Sequence, residues 1–168
     1  MRVLGIDPGY AIVGYGVIDY NASRYNVIEY GAITTKAGLL FSDRIYDIFI
    51  NVNDIIKRTS PDSLSIEKLF FNTNTTTAID VAQARGVILL AAKINNIPIY
   101  EYTPLQVKSS VTGYGRAEKK QVMEMTKNIL GLKSIPRPDD TADALALAIC
   151  HSHSAGSLLL KINSGGTV

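Results

Sequence analysis

One cysteine, Cys150, stands among 168 residues, so no disulfide can form within the chain. A lone thiol on the apolar face of the last helix is expected to be packed rather than catalytic. Long hydrophobic runs are missing too: charge or glycine interrupts every apolar stretch well before the roughly 20 residues that a membrane span needs. The opening Met-Arg-Val-Leu-Gly-Ile-Asp lacks the apolar centre and cleavage site of a signal peptide. These absences predict a cytoplasmic protein that does not engage a membrane. A strong excess of either charge is also lacking, since 17 Lys and Arg face 15 Asp and Glu for a formal +2.

That balance conceals an uneven distribution. From Lys108 to Arg137 the basic residues are Lys108, Arg116, Lys119, Lys120, Lys127, Lys133 and Arg137, against only Glu118 and Glu124, so the segment carries +5. Alone, such a run reads as a solvated helix face; beside a cluster of neutralised acids it becomes a footprint for a polyanion.

A hydrophobic content of 46% suffices for one good core. We expect one compact domain over 1–155 with a short C-terminal tail over 156–168. β-branched and aromatic runs predict strands at Arg2 to Asp7, Ile12 to Tyr20 and Tyr25 to Thr34, the middle pair joined by a turn at Asn21-Ala22-Ser23. Together they form an antiparallel meander. Apolar residues at Ile45, Ile48, Phe49, Val52, Ile55 and Ile56 give a helix from Ser42 to Arg58, ended by Pro61. A short buried strand, Asp62 to Glu67, precedes a helix from Thr76 to Asn95 that is apolar over more than one face. A fifth strand at Pro98 to Tyr102 follows, then helices at Pro104 to Val111, Ala117 to Leu130 and about Asp140 to His153. The order implies an α/β fold, a mixed sheet covered by helices. Within the tail, Leu158-Leu159-Leu160 is expected to dock on the body, and Ser164-Gly165-Gly166 to be mobile.

Three acids stand where an ordinary core would exclude them. Asp7 closes Val3-Leu4-Gly5-Ile6, Glu67 closes Leu64-Ser65-Ile66, and Asp143 lies within the Ala/Leu helix Ala142 to Ile149. Drawing a carboxylate into apolar surroundings costs roughly several kcal/mol unless a cation or donors compensate. Bound metal is the compensation these positions predict. Taken singly each has a plainer reading: Asp7 before Pro8-Gly9 shapes a turn, Glu67 pairs with Lys68 or Lys119, Asp140 serves the helix dipole. Asp139 and Asp143 are also four apart and share a helix face, which leaves Asp139 a rival of Asp140 unless it caps the helix.

The motifs LGIDPG (4–9), GYGVI (14–18), SIEKLFF (65–71), QARG (83–86), QVK (106–108), AEKKQV (117–122) and DDTADALALAICH (139–151) occur in one order across nearly the whole chain. In this order they resemble the RuvC family of Holliday junction resolvases. The resemblance implies a ribonuclease H-like fold: a five-stranded mixed sheet, its first three strands antiparallel, with helices on both faces. It also implies a metal-dependent endonuclease that resolves Holliday junctions by paired symmetric nicks in recombination and repair.

Its cofactor would be Mg²⁺, two ions per site roughly 3.5–4 Å apart, with Mn²⁺ an acceptable substitute. Asp7 would bridge both, Glu67 would hold one, and Asp140 with Asp143 the other; family spacing favours Asp140 over Asp139. Lys108 and Lys119 match basic residues near the scissile phosphate. Phe70 matches an aromatic wedge against unstacked bases, with Phe71 its rival. Tyr114 and Arg116, in a Gly-flanked loop, are candidates for backbone phosphates. Implied partners are four-way junction DNA, a second copy in a homodimer built on the long helix, a junction-binding protein and a branch-migration motor. Gly86 on that helix is expected to permit close helix contact. His151 and His153 are read as helix-end residues outside the site. Two alternatives remain: a catalytically silent junction-binding module, and an actin-like phosphotransferase using LGIDPG near ATP.

Overall fold

The computed structural model describes residues 1–68 and 75–163, with the side chains of 75–76 and 156–163 excluded. The expectations for Phe70, Phe71, Ser164-Gly165-Gly166 and the docking of Leu158-Leu159-Leu160 lie outside the described residues. The elements run β1 (Arg2–Asp7), β2 (Ile12–Asn21), β3 (Arg24–Thr34), α1 (Phe41–Thr59), β4 (Ser63–Glu67), α2 (Thr75–Ile94), β5 (Ile99–Tyr102), α3 (Pro104–Thr112), α4 (Lys119–Ile129) and α5 (Asp139–Asn163). The sheet order is β3-β2-β1-β4-β5. β1, β2 and β3 pair antiparallel, whereas β4 runs parallel to both β1 and β5. The expected mixed sheet with its opening meander is therefore present.

Local chemistry accounts for the punctuation. Ala22 and Ser23 both take positive φ, the sign a type I′ hairpin needs to match strand twist. Ser60 adopts a left-handed conformation and returns its N–H to the Ile56 carbonyl, and Pro61 prevents the helix from resuming. α3 starts at a reciprocal cap, Thr103 with Gln106, and α4 at another, Glu118 with Gln121.

Strand alternation gives the sheet two unlike faces. Leu4, Ile6, Val13, Val17, Leu64 and Ile66 meet α1 and α2 through Ile48, Val52, Ile55, Ile56, Ala84 and Ile88. The opposite face receives α5, over which α3 and α4 close with Val107, Val111 and Val122. α5 is buried on every side from Ala144 to Ser152. It continues to Asn163 rather than stopping near His153. Between those residues there is neither proline nor a left-handed cap, and Gly156 alone, at about 1 kcal/mol, does not end a helix of good formers.

One side-chain expectation changes with that boundary. His151 is no helix-end residue: it is buried, stacked on Tyr100 at 4.2 Å and hydrogen-bonded through Nδ1 to the Tyr102 hydroxyl at 2.7 Å. Burial lowers its proton affinity. Gly86 makes no close helix contact within the protomer, since a Cβ there would meet nothing within 4 Å. Cys150 is buried as expected, its thiol pushed up to about 11 by that burial.

Candidate metal centre and junction-cutting site

Parallel pairing of β1 and β4 brings Ile6 opposite Ile66, so the next residue of each strand, Asp7 and Glu67, end neighbouring strands at the same edge. Both follow the alternation that points Gly5 and Ser65 toward α5; Ser65 donates to the Leu147 carbonyl at 2.7 Å. Asp7 is also the register partner of Gly14 on β2.

At that point the helix arrives. A Cβ on Gly14 would stand 2.0 Å from the Asp140 carbonyl oxygen, one on Gly5 2.0 Å from that of Ala144, and one on Gly16 2.5 Å from Leu145 Cδ2. At Gly5, Gly14 and Gly16 the sheet under α5 has no side chain, and the first turn of the helix rests on the partner of Asp7. Asp140 and Asp143 are delivered to Asp7 by close backbone approach. Thr141 reinforces the seat, donating its hydroxyl to the Gly31 carbonyl at 3.1 Å.

The electrostatics show that these acids share one environment. Burial pushes the Asp7 carboxyl up to about 7, and the negative charges of Asp143, Glu67 and Asp140 push the same way against Lys119. Glu67 is raised by burial and then by Asp143, opposed by Lys108 and Lys119. Asp143 is raised by burial, against a hydrogen bond from Lys119. The Lys119 ammonium lies 2.9 Å from Asp143 and 3.7 Å from Asp139. Burial disfavours its charge, but Asp143, Asp139 and Asp7 together raise its proton affinity. A cavity of about 240 Å³ opens here, with Glu67, Asp143, Lys108 and Lys119 around an apolar floor of Val107, Val122 and Leu147.

Among the described residues no three acidic, histidine or cysteine side chains already converge as a ready metal cage. The donor set nonetheless fits divalent cations: hard oxygens from separate elements, with Asp7 raised to about 7 by burial and then by its acidic neighbours. Removing that mutual repulsion is what a dication would do.

The remaining candidates divide. Asp139 is not an N-cap but the first residue of α5, paired with Arg137 and near Lys119. Tyr114 is exposed and lines a separate groove with Gln121, Glu124 and Met125, and Arg116 is an exposed residue of the same loop. Neither joins the carboxylate cavity. The sequence reading missed Arg85, which donates Nε–H to the Glu67 carbonyl at 3.3 Å and forms an ion pair with Glu101. It also missed the caps that Gln106 and Gln121 supply within QVK and AEKKQV, although Thr103-x-x-Gln106 is a readable capping-box spacing.

A family model described as crossover junction endodeoxyribonuclease RuvC matches residues 3–151. A protein of that name from Brevibacillus brevis is 57% identical over 90% of this chain and 92% of its own. One from Alkaliphilus metalliredigens is 55% identical over 92% and 94%. The chain belongs to the RuvC family. Its fold superposes on Thermus thermophilus RuvC in complex with Holliday junction substrate with a TM-score of 0.86, at 32% identity over 94% of this chain and 96% of that one. The yeast mitochondrial Holliday junction resolvase Ydc2, at 16% identity and TM-score 0.71 over 96% and 83%, shares the fold. RuvC membership makes this chain a metal-dependent crossover junction endodeoxyribonuclease and displaces the phosphotransferase alternative.

Proposed function

We propose that this RuvC endonuclease cuts four-way junction DNA at the end of β1, with Asp7, Glu67, Asp140 and Asp143 holding two Mg²⁺ ions for which Mn²⁺ can substitute. The observation that carries this reading is the Asp7 carboxyl at the buried end of β1, lifted to about 7 by burial first and then by the charges of Asp143, Glu67 and Asp140. When bound, the ions supply a water nucleophile at neutral pH and stabilise the charge of the leaving oxygen.

The chain's own residues supply the rest. The four carboxylates orient the ions, and the dry floor of Val107, Val122 and Leu147 keeps bulk water from one side of the cavity. Lys108 and Lys119 meet the phosphate charge, Lys119 by leaving its pairing with Asp143. Phe70 stacks on bases at the junction centre, while Tyr114 and Arg116 touch backbone phosphates away from the cut. With the four acids neutralised the formal charge rises from +2 to +6, suited to a polyanion.

Two matched nicks on a two-fold substrate call for two sites, hence a C2 homodimer. The outward stripe of α2, with Ile79 66%, Leu90 51% and Ile94 57% exposed and Gly86 between them, supports that helix as the contact. Tyr46 and Ile50 of α1 extend the apolar area. No helix among the described residues is long and apolar enough to cross a membrane, which agrees with work in the cytoplasm beside DNA. Catalysis is assigned to 1–155, with 156–168 as an appendage. A junction-binding protein and a branch-migration motor are the partners that RuvC resemblance implies.

The test is a labelled synthetic four-way junction with Mg²⁺. Wild type should nick opposing strands symmetrically, leaving 5′-phosphates and 3′-hydroxyls. Asp7→Asn should bind the junction without cutting it. Nicking by Asp7→Asn at the wild-type rate would place the chemistry elsewhere, and binding without nicks by wild type would favour the silent module.

A further inference from the structure

The carboxylate of Glu67 faces the cavity on the α5 side of the sheet, but its peptide carbonyl is gripped from the other side. Arg85 of α2 donates Nε–H to that carbonyl at 3.3 Å, while Nη2 pairs with Glu101 of β5. Glu101 is the register partner of Ile66, and Tyr102 that of Glu67, so the guanidinium spans the ends of two parallel strands where the ladder finishes. Only 13% of the Arg85 side chain is exposed. Its planar fork serves two acceptors at once, which a lysine ammonium on a flexible stem does with less geometric control. The next residue in sequence, Gly86, lies on the outward stripe of α2.

We propose that Arg85 is a positioning residue for the metal centre. It fixes the peptide of Glu67 and thereby the direction of its carboxylate, and it ties that carboxylate to the helix assigned to the dimer contact. The inference rests on the reading of Glu67 as a metal ligand. Arg85 does not touch the reacting atoms; it acts through the backbone of β4. A rotation of the Glu67 peptide, permitted once the guanidinium is gone, would swing the carboxylate out of the cavity with the strand otherwise paired.

The experiment measures Mn²⁺ affinity of the DNA-free protein by calorimetry, single-turnover cleavage, junction affinity and sedimentation mass. Arg85→Ala should weaken Mn²⁺ binding and slow cleavage by roughly 10-fold to 100-fold, as for the loss of an outer-shell partner, with junction affinity and mass unchanged. Arg85→Lys should recover part of both losses. Glu101→Gln, which leaves the carbonyl contact in place, should stay close to wild type.

Wild-type Mn²⁺ affinity in Arg85→Ala would overturn the inference. So would a Glu101→Gln loss as large as that of Arg85→Ala, because the ion pair would then be what matters. Should Arg85→Ala fail to fold, Arg85→Lys must lose more Mn²⁺ affinity than Glu101→Gln; the reverse order refutes the proposal. Asp7→Asn separates the two levels: undiminished Mn²⁺ binding there removes the metal-centre reading itself. Loss of binding there with none in Arg85→Ala removes only the role of Arg85.

Discussion

The two faces of the sheet are built by opposite means. Toward α1 and α2, side-chain volume sets the spacing: Ile6, Val17 and Ile66 interlock with Ile48, Val52 and Ile88, all fully buried. Toward α5, spacing is set by missing side chains, with Gly5 and Gly14 leaving room for the helix backbone and Gly16 for the Leu145 side chain. The first face can exchange one aliphatic for another at small cost. At these three positions the second cannot admit a methyl group, and that face carries the acids. Both faces contribute buried core, but the acids stand only on the α5 side, with Arg85 of α2 reaching the Glu67 carbonyl from the other.

The largest expected effect is on the site's own side. Asp7 is raised to about 7 in the folded protein from an ordinary 3.8, so folding favours its protonated form. The associated stability is complete below pH 3.8 and is lost as pH rises through about 7. Without divalent cations, denaturant titrations from pH 4 to pH 8 should show stability falling, with Asp7 contributing at most about 4 kcal/mol of the loss and the raised Glu67 and Asp143 adding to it. Asp7→Asn should shrink that decline by the share of Asp7 and be the more stable protein at pH 8, and Mg²⁺ should restore the wild type. A flat wild-type profile would mean that burial and the neighbouring acids do not raise Asp7.

Next comes the seat of α5. Gly14→Ala puts a methyl group 2.0 Å from the Asp140 carbonyl, so the helix must shift and take Asp140 and Asp143 with it. Displacements of this kind cost about 100-fold in rate, and overpacking about 1–3 kcal/mol in stability. Junction cleavage by Gly14→Ala at the wild-type rate would erase the distinction between the faces. The smallest effect belongs to the opposite face: Ile88→Val should cost about 0.5–1.5 kcal/mol and leave the cleavage rate of the folded protein unchanged. A rate loss comparable to that of Gly14→Ala would show that both faces set the site.

Sequence reasoning reached the first face readily, because burial there is written as apolar residues at helical and strand periods. Asp7, Glu67 and Asp143 also stand out in sequence, because charge at the end of an apolar strand or within an apolar helix signals itself, and the fold brings the three close enough to repel one another. What sequence reasoning missed is encoded by contact across long separations. Gly14 is a turn or strand breaker until its neighbour, Asp140, is known. Arg85 is one more helix arginine until β4 and β5 end beneath it. His151 looked like a helix terminus because nothing local announces Tyr100 and Tyr102. The end of α5 lies beyond the expected His153 for a different reason, as residues 156–168 carry no clear helical period in sequence.

Diffraction from crystals soaked in Mn²⁺, recorded for the metal's anomalous signal, tests the central claim most directly. The expected result is a pair of peaks between the ends of β1 and β4 and the first turn of α5. Asp7 should be shared by both, Glu67 should ligate one, Asp140 and Asp143 the other, and Lys119 should be withdrawn from Asp143. Strong peaks elsewhere on a protein that cuts junctions in Mn²⁺, with none coordinated by Asp7, would contradict it.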